Sequence, residues 1–459
     1  MKKLIALALA VVMVLSLGAC SVQTVEETKA AAPAATEAAA PAATEAAAPA
    51  APEAAKEITL WTFPIGKWGD QAVVDELMAQ FKAETGISVK VEFLDYQTGD
   101  DKVNTAIEGG VAPDVIMEGP ERLVANWGAK GLMVDMADML DDTDKKELSA
   151  DLLSSCYSPD GALYEYPLVA NAFCMAINKT VFEAAGAMQY LNEETHTWNS
   201  VADFMAAIDA VHAYTGKQVG AVFCGGQGGD QGTRELVKNL CSGNLTDAAH
   251  TKYTWDDPKN IEALKMLYDC EGIEFDPSIV GGDEIALFYN GTLDVVFCWN
   301  VGQQQNPNNA NTGAEKTANG DDILFMAFPS DTTVRLGVGE WGFGIFNNGD
   351  ESRIAAAKQF VKFFCDSAAT ADAVKAANYF AVRTCAEGTD LSGIWSDNPI
   401  MNEYNKIMPL AGDYYQVTTG WAEARTAWWN MLQQVGASDG SVEAITAAVQ
   451  QYVNQANGQ

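Results

Sequence analysis

Three groups able to grip a polar ligand fall within five residues of this 459-residue chain: Glu118, Glu121 and Arg122, in the segment PDVIMEGPER. A carboxylate can accept two hydrogen bonds at once and a guanidinium can donate two, so the set suits a ligand with paired polar groups. Pro113–Met117 is apolar enough for a short buried strand, and a helix is expected from about Pro120 to Ala129. Pro120 suits a first helical position, Glu121 the positive end of the helix dipole, and Gly131 a stop. An open α/β sheet presents ligand groups in this way, at the carboxyl ends of buried strands. The plainer reading of Glu121 and Arg122 is a helix-start acid with a local ion pair.

Other motifs exclude more than they offer. Gly337-Val338-Gly339-Glu340-Trp341-Gly342 fits G-x-G-x-x-G, but a strand rather than a helix is expected at Phe343–Phe346, so it is no dinucleotide fingerprint. The glycines of 225–232 lack G-K-[ST] and read as a mobile loop, and no G-x-S-x-G, H-E-x-x-H or EF-hand loop occurs. His196, His212 and His250 are isolated, and the cysteines after Cys20 form no C-x-x-C pair, so no zinc site is expected and buried free thiols are favoured. No cofactor is implied. With 28 Lys+Arg against 62 Asp+Glu, the net charge is −34, which disfavours nucleic acid and anionic lipid headgroups as direct partners.

The elements that must position these groups begin after an export signal. Lys2 and Lys3 precede an apolar stretch, Leu4 to Leu15, too short to span a bilayer. Leu17-Gly18-Ala19-Cys20 resembles the bacterial lipobox, in which the cysteine is acylated and becomes the mature N-terminus. Residues 21–56 are Ala/Pro/Thr/Glu-rich, with PAATEAAA at 33–40 and again at 41–48, and form a tether. From Glu57, strands alternate with helices: a strand Ile58–Phe63, helical spacing at Val73, Val74, Leu77, Met78 and Phe81, then a strand through Val89, Val91 and Phe93. The pattern continues to the C-terminal helices, which predicts α/β lobes with largely parallel sheets.

In order and spacing, several segments resemble the extracellular solute-binding proteins of ABC importers, specifically the maltose-binding-protein-like sugar-binding group. They are ITLWTF, AQFKAETGISVKVEF, APDVIMEGPERLVANWGAKGLMVDM, YEYPLVANAFCMAINKTVFEAAG, ALFYNGTLDVVFCWN and GWAEARTAWW. The resemblance covers nearly everything from Glu57 to Gln455. It implies a periplasmic-binding-protein-like α/β fold with two discontinuous lobes, a hinge and an interlobe cleft. Lobe one would hold about 57–168 and 327–380, and lobe two about 169–326 and 381–455. It further implies a monomer without enzymatic activity, lipid-anchored at the extracellular face of the cell membrane through Cys20. Such a protein would pass a small-molecule carbohydrate to the transmembrane subunits of an ABC permease.

A sugar site wants Trp or Tyr beside acids, amides and arginines, because rings stack on C–H faces while polar groups bond hydroxyls. Trp61 and Phe63 end the first strand, although Trp61 could equally be core, and Lys67, Trp68 and Asp70 follow in a loop. By the resemblance, Glu118 stands where a relative has a ligand-stacking Trp. Glu121 and Arg122 match an acid–arginine pair that binds sugar, and Asn171, where the chain crosses between lobes, matches a ligand-binding acid. Trp299 and Asn300 end a lobe-two strand near a family contact. Glu340 and Trp341 are placed in a Gly-rich turn and Arg383 on the returning strand. Trp421 matches a sugar-stacking Trp with Arg425 one helical turn later, while Trp428 and Trp429 read as packing. A glycoside hydrolase with two carboxylates, a receptor for a peptide or anion, and a structural surface lipoprotein that transports nothing remain as rival readings.

Overall fold

The computed structural model of the protein describes residues 53–222, 230–275, 283–305 and 315–459. The expected signal segment, Cys20, the tether up to residue 52 and most of the glycine-rich run 225–232 lie outside them, while Ala54 and Ala55 at the end of the expected tether pack against the first lobe. Among the described residues, no helix is long and apolar enough to cross a membrane.

Strand β1 (Glu57–Thr62) buries Ile58, Leu60 and Thr62 at period two. Helix α1 (Gln71–Thr85) turns Val74, Leu77, Met78 and Phe81 inward at helical spacing. Asp70, placed by sequence in a ligand loop, is its N-cap, accepting from the Ala72 and Val73 amides. Gly86, at φ +74°, ends the helix. Strand β2 (Ser88–Phe93) lies parallel to β1, and after helix α2 (Gly99–Glu108) strand β3 (Val115–Glu118) joins the other side of β1, also parallel.

The expectation of largely parallel sheets holds only for that β2–β1–β3 half. Strand β4 (Tyr166–Ala172) and β3 flank the strand Leu336–Ile345, which runs antiparallel to both. It enters from the other lobe instead of over a crossover helix, so nothing obliges it to run parallel. The second sheet, Val295–Trp299, β5 (Cys174–Asn178) and Ile323–Met326, is wholly antiparallel.

Two hydrophobic cores result. One gathers Ile58, Phe81, Val115, Met117, Val169, Phe343, Phe360 and Phe364. The other gathers Ile177, Phe204, Leu236, Leu264, Phe297, Trp299, Trp428 and Ile445. The chain leaves the first core between Ala170 and Ala172, returns between Leu336 and Val338, and leaves again between Val382 and Met401. Cys156, Cys174, Cys270 and Cys365 are buried free thiols.

The first lobe is pinned by one buried acid. Asp114, 1% exposed, accepts from the Thr59 amide at 2.7 Å, the Asn348 amide at 2.8 Å and Arg353 Nε at 2.7 Å. It thereby ties β1 and β3 to the helix Glu351–Cys365, which belongs to a distant part of the chain. Removing the carboxylate leaves the Thr59 amide and Asn348 without their acceptor, while the half-buried Arg353 can turn to water. Asp114→Ala should therefore cost about 2 kcal/mol in denaturant unfolding, and a loss below about 0.5 kcal/mol would contradict this pinning role.

Candidate ligand site

Strand β3 ends at Glu118, and the chain turns through Gly119 into a helical turn with Pro120 at its first position. The helix expected to run to Ala129 is α-helical only over Pro120–Arg122 and continues as a π-helical segment, Leu123–Gly128. Such wide turns recur at functional sites. A Cβ at Gly119 would lie 2.6 Å from both Glu121 Oε2 and the Glu340 carbonyl, so only glycine lets Glu121 fold back against the neighbouring strand.

Arg122 is 4% exposed and fully engaged. Its Nε and Nη2 donate to Asp100 at 2.6 and 3.0 Å, and its Nη1 to Glu118 at 3.0 Å, with Glu121 at 3.5 Å. Its guanidinium lies over the rings of Phe63 at 5.0 Å and of Tyr96 and Trp421 at 5.7 Å. Phe63 and Tyr96 are themselves stacked at 5.1 Å.

Trp421 comes from the second lobe, at the start of the helix Trp421–Gly436. One turn along, the Arg425 guanidinium covers its ring at 4.5 Å. Arg425 in turn donates twice to Asp230, each bond 3.1 Å, and Arg234 binds the same carboxylate while lying over Tyr415 at 4.2 Å. Burial works against ionising Asp230, but Arg425 and Arg234 outweigh it and hold the carboxyl well below its usual range. The contact between Arg122 and Trp421 thus joins a cation-centred group of one lobe to an anion-centred group of the other.

Further acids crowd the first-lobe side. Burial pushes Glu118 up to about 8, against the pull of the Arg122 charge. Glu340 rises to about 8 by burial, although the Ser155 hydroxyl and the Cys156 thiol, 3.6 Å away, both donate to it. Glu165 rises far above the carboxylate range through burial and the charges of Glu340, Glu121 and Glu118, and neither of its oxygens has a hydrogen-bond partner. Asn171, at the first crossing between the cores, is fully buried with both amide atoms likewise unpartnered.

The residues named from sequence divide accordingly. Phe63, Glu118, Glu121, Arg122, Trp421 and Arg425 come together. Glu340 adjoins them, but it and Trp341 lie within the strand Leu336–Ile345 and not in a turn. The glycines serve close packing there: a Cβ at Gly342 would stand 2.2 Å from the Tyr166 carbonyl. Trp341 stacks at 4.5 Å on Tyr379, which packs against both cores. A Cβ at Gly302 would lie 2.7 Å from the Tyr379 hydroxyl and 3.2 Å from Asn300 Oδ1, so Tyr379 carries the first-lobe wall up to Asn300 of the second.

Others are held elsewhere. Trp299 is fully buried and donates to the Tyr404 hydroxyl at 3.0 Å. Arg383 is locked by Asp144 and Asp366, at 3.0 and 2.6 Å. Lys67 is exposed, Trp68 fully buried, and Trp61 packs on the first core with Lys102 over its ring. Trp428, read as packing, is buried and donates to Thr233 at 3.0 Å. Asp100, Tyr96, Glu165, Tyr379, Asp230 and Arg234 were missed. Of these, only Glu165 carried a signal, as a lone acid between two tyrosines at the head of an apolar run.

Residues 76–403 match the sequence profile of the bacterial extracellular solute-binding proteins. The chain belongs to this family. Solved solute-binding proteins share its fold. The GacH receptor of Streptomyces glaucescens, studied unliganded and with acarbose, matches at TM-score 0.67 and 16% identity over 88% of this chain and 99% of that one. The Thermus thermophilus maltotriose-binding protein bound with maltotriose matches at 0.64 and 16%, over 87% and 99%. An ABC substrate-binding protein from Listeria monocytogenes in complex with cycloalternan matches at 0.64 and 18%, over 88% and 99%. No curated protein sequence matches the chain. The family and these neighbours bind solutes and are not enzymes.

The buried acids give this solute-binding protein a pH signature. Glu340 keeps its proton in the folded state up to about 8, against about 4.5 when unfolded, so its contribution is fully present below the lower value and is lost as pH rises through the upper one. The melting temperature of wild type should fall between pH 5 and pH 8. Glu340→Gln should flatten that fall by about 2 °C; an unchanged slope would show that Glu340 titrates normally.

Proposed function

We propose that the protein is a lipid-anchored extracellular receptor that captures a sugar or short oligosaccharide between its lobes and delivers it to an ABC import permease. The observation that carries this reading is the meeting of Arg122 and Trp421 across the lobe boundary, among aromatic rings and carboxylates. Rings offer stacking faces for sugar C–H groups, and the acids and arginines offer paired bonds to hydroxyls. Acarbose, maltotriose and cycloalternan, the ligands of the structural neighbours, are consistent with it. Leu17–Cys20 supplies the acylation site and residues 21–56 the tether that holds the receptor near its permease. Opening the lobes separates Arg122 from Trp421, and closing them over ligand creates the state a permease can recognise.

A carbohydrate panel screened by melting shift, followed by calorimetry on the purified protein, tests the reading, because a ligand of the folded state raises its melting point. At least one saccharide should bind. Trp421→Ala should weaken that binding by about tenfold or more while leaving the protein folded. Shifts from peptides or oxyanions with none from saccharides would refute the carbohydrate assignment.

A further inference from the structure

A groove of about 610 Å³ lies where the chain passes between the cores for the third time. One wall is a short stretch of paired backbone. The Ser149 amide donates to the Val382 carbonyl at 2.9 Å and the Thr384 amide to the Glu147 carbonyl at 3.0 Å, with Leu148 and Arg383 bridged between them. The Leu391 amide donates to the Thr384 carbonyl at 2.9 Å and so ties this wall to the lining segment Leu391–Ser396. Asn402 and Asn405, from the helix Pro399–Tyr404 and its C-cap, complete the lining. Main-chain bonds therefore shape the groove before anything enters it, as in most small-molecule sites. Its apolar surface is drawn from both lobes: Leu148 and Val382 belong to the first core, Phe380 and Trp395 to the second.

The groove is distinct from the Arg122–Trp421 group, although one strand serves both. Tyr379, stacked on Trp341, and Phe380, which lines the groove, are successive residues at the start of the strand Phe380–Ala381. Successive side chains of a strand alternate sides, so each ring faces its own site. Trp395 Nε1 donates to the Tyr379 carbonyl at 2.9 Å, which fixes the half-buried indole ring in the groove lining.

The lining has a fixed aromatic face and neutral polar groups, with its charge already settled. The exposed side chains of Ser149, Thr384, Asn402 and Asn405 offer hydroxyls and amides. Arg383, 3% exposed, gives Nη2 to Asp144 at 3.0 Å and Nη1 to Asp366 at 2.6 Å, with Glu147 at 3.7 Å. Its Nε is left without a partner among the described residues, and an uncharged oxygen suffices to meet it. An anion would be repelled by the carboxylates around Arg383, and an ammonium by Arg383 and Lys146. A neutral sugar needs neither charge, stacks its C–H face on an indole and bonds amides with its hydroxyls.

We propose that this groove is a second saccharide site, in which a neutral sugar ring stacks on Trp395 and bonds Asn402, Asn405 and Arg383 Nε. The groove's own lining carries this assignment, independently of the interlobe group. The test uses the full chain labelled with fluorotryptophan, the Trp395 resonance being the one lost in Trp395→Phe. Maltotriose, cellotriose and xylotriose are titrated in turn, with spermidine and sulfate as charged controls. At least one trisaccharide should shift the Trp395 resonance, and the shift should persist in Trp421→Ala. Asn402→Ala and Asn405→Ala, both at exposed positions that leave the fold intact, should each weaken that binding about threefold. Adding Trp395→Ala to Trp421→Ala should weaken the remaining calorimetric binding about tenfold.

A Trp395 resonance that no trisaccharide moves, or whose movement vanishes in Trp421→Ala, would overturn the second site and leave the interlobe reading standing. Movement at Trp395 with no saccharide binding lost in Trp421→Ala would instead support the second site and count against the interlobe one. Shifts from spermidine or sulfate alone would overturn the assignment of a neutral saccharide to the groove.

Discussion

A guanidinium group removed from water must have its donors and its faces filled, and Arg122 fills them from both lobes at once. Its donors are taken by Asp100, Glu118 and Glu121, which the end of β3 and the start of α2 bring together. Its faces are taken by Phe63 and Tyr96 of its own lobe and by Trp421 of the other. Most of the local architecture serves this placement. The turn at Gly119 admits Glu121, the π-helical stretch follows at once, and the Asp230 pair of arginines fixes the ring that meets it. The group is consequently a joint, and separating the lobes must uncover the face of Arg122 that Trp421 covers.

The same economy explains why the acids are tolerated. Single buried carboxylates are expensive, but here each is offset differently: Asp230 by two arginines, Glu118 by Arg122, and Glu340 by two weak neutral donors. Glu165 has no hydrogen-bond partner among the described residues, and burial holds its carboxyl far above the usual range.

Much of the fold was legible because helix caps and burial periods are local signals. Ser200 accepts from the Asp203 amide and donates to its carboxylate, and Asp257 and Ser441 cap the helices that follow them, each within three residues. Strand direction was not legible, since Leu336–Ile345 gains its antiparallel neighbours only through residues some 170 and more positions away. Site residues divide on the same line. Arg122 and Trp421 stood out by type and context, whereas Asp100 and Asp230 look like any of 62 acids until the arginines that seek them are in place. Trp299 and Arg383 misled for the complementary reason: each has the chemistry of a ligand group, but a local partner uses it up.

The inserted strand has a consequence for how the molecule is made. In space, Leu336–Ile345 sits between β3 and β4, yet it is synthesised long after both. Until it emerges, those two strands have no neighbour on the sides that face it, and the first lobe cannot complete its sheet. The lobe written first is thus finished late, after most of the second has been translated. The segments that leave the ribosome early are thereby kept from locking into a finished body until most of the chain has been made.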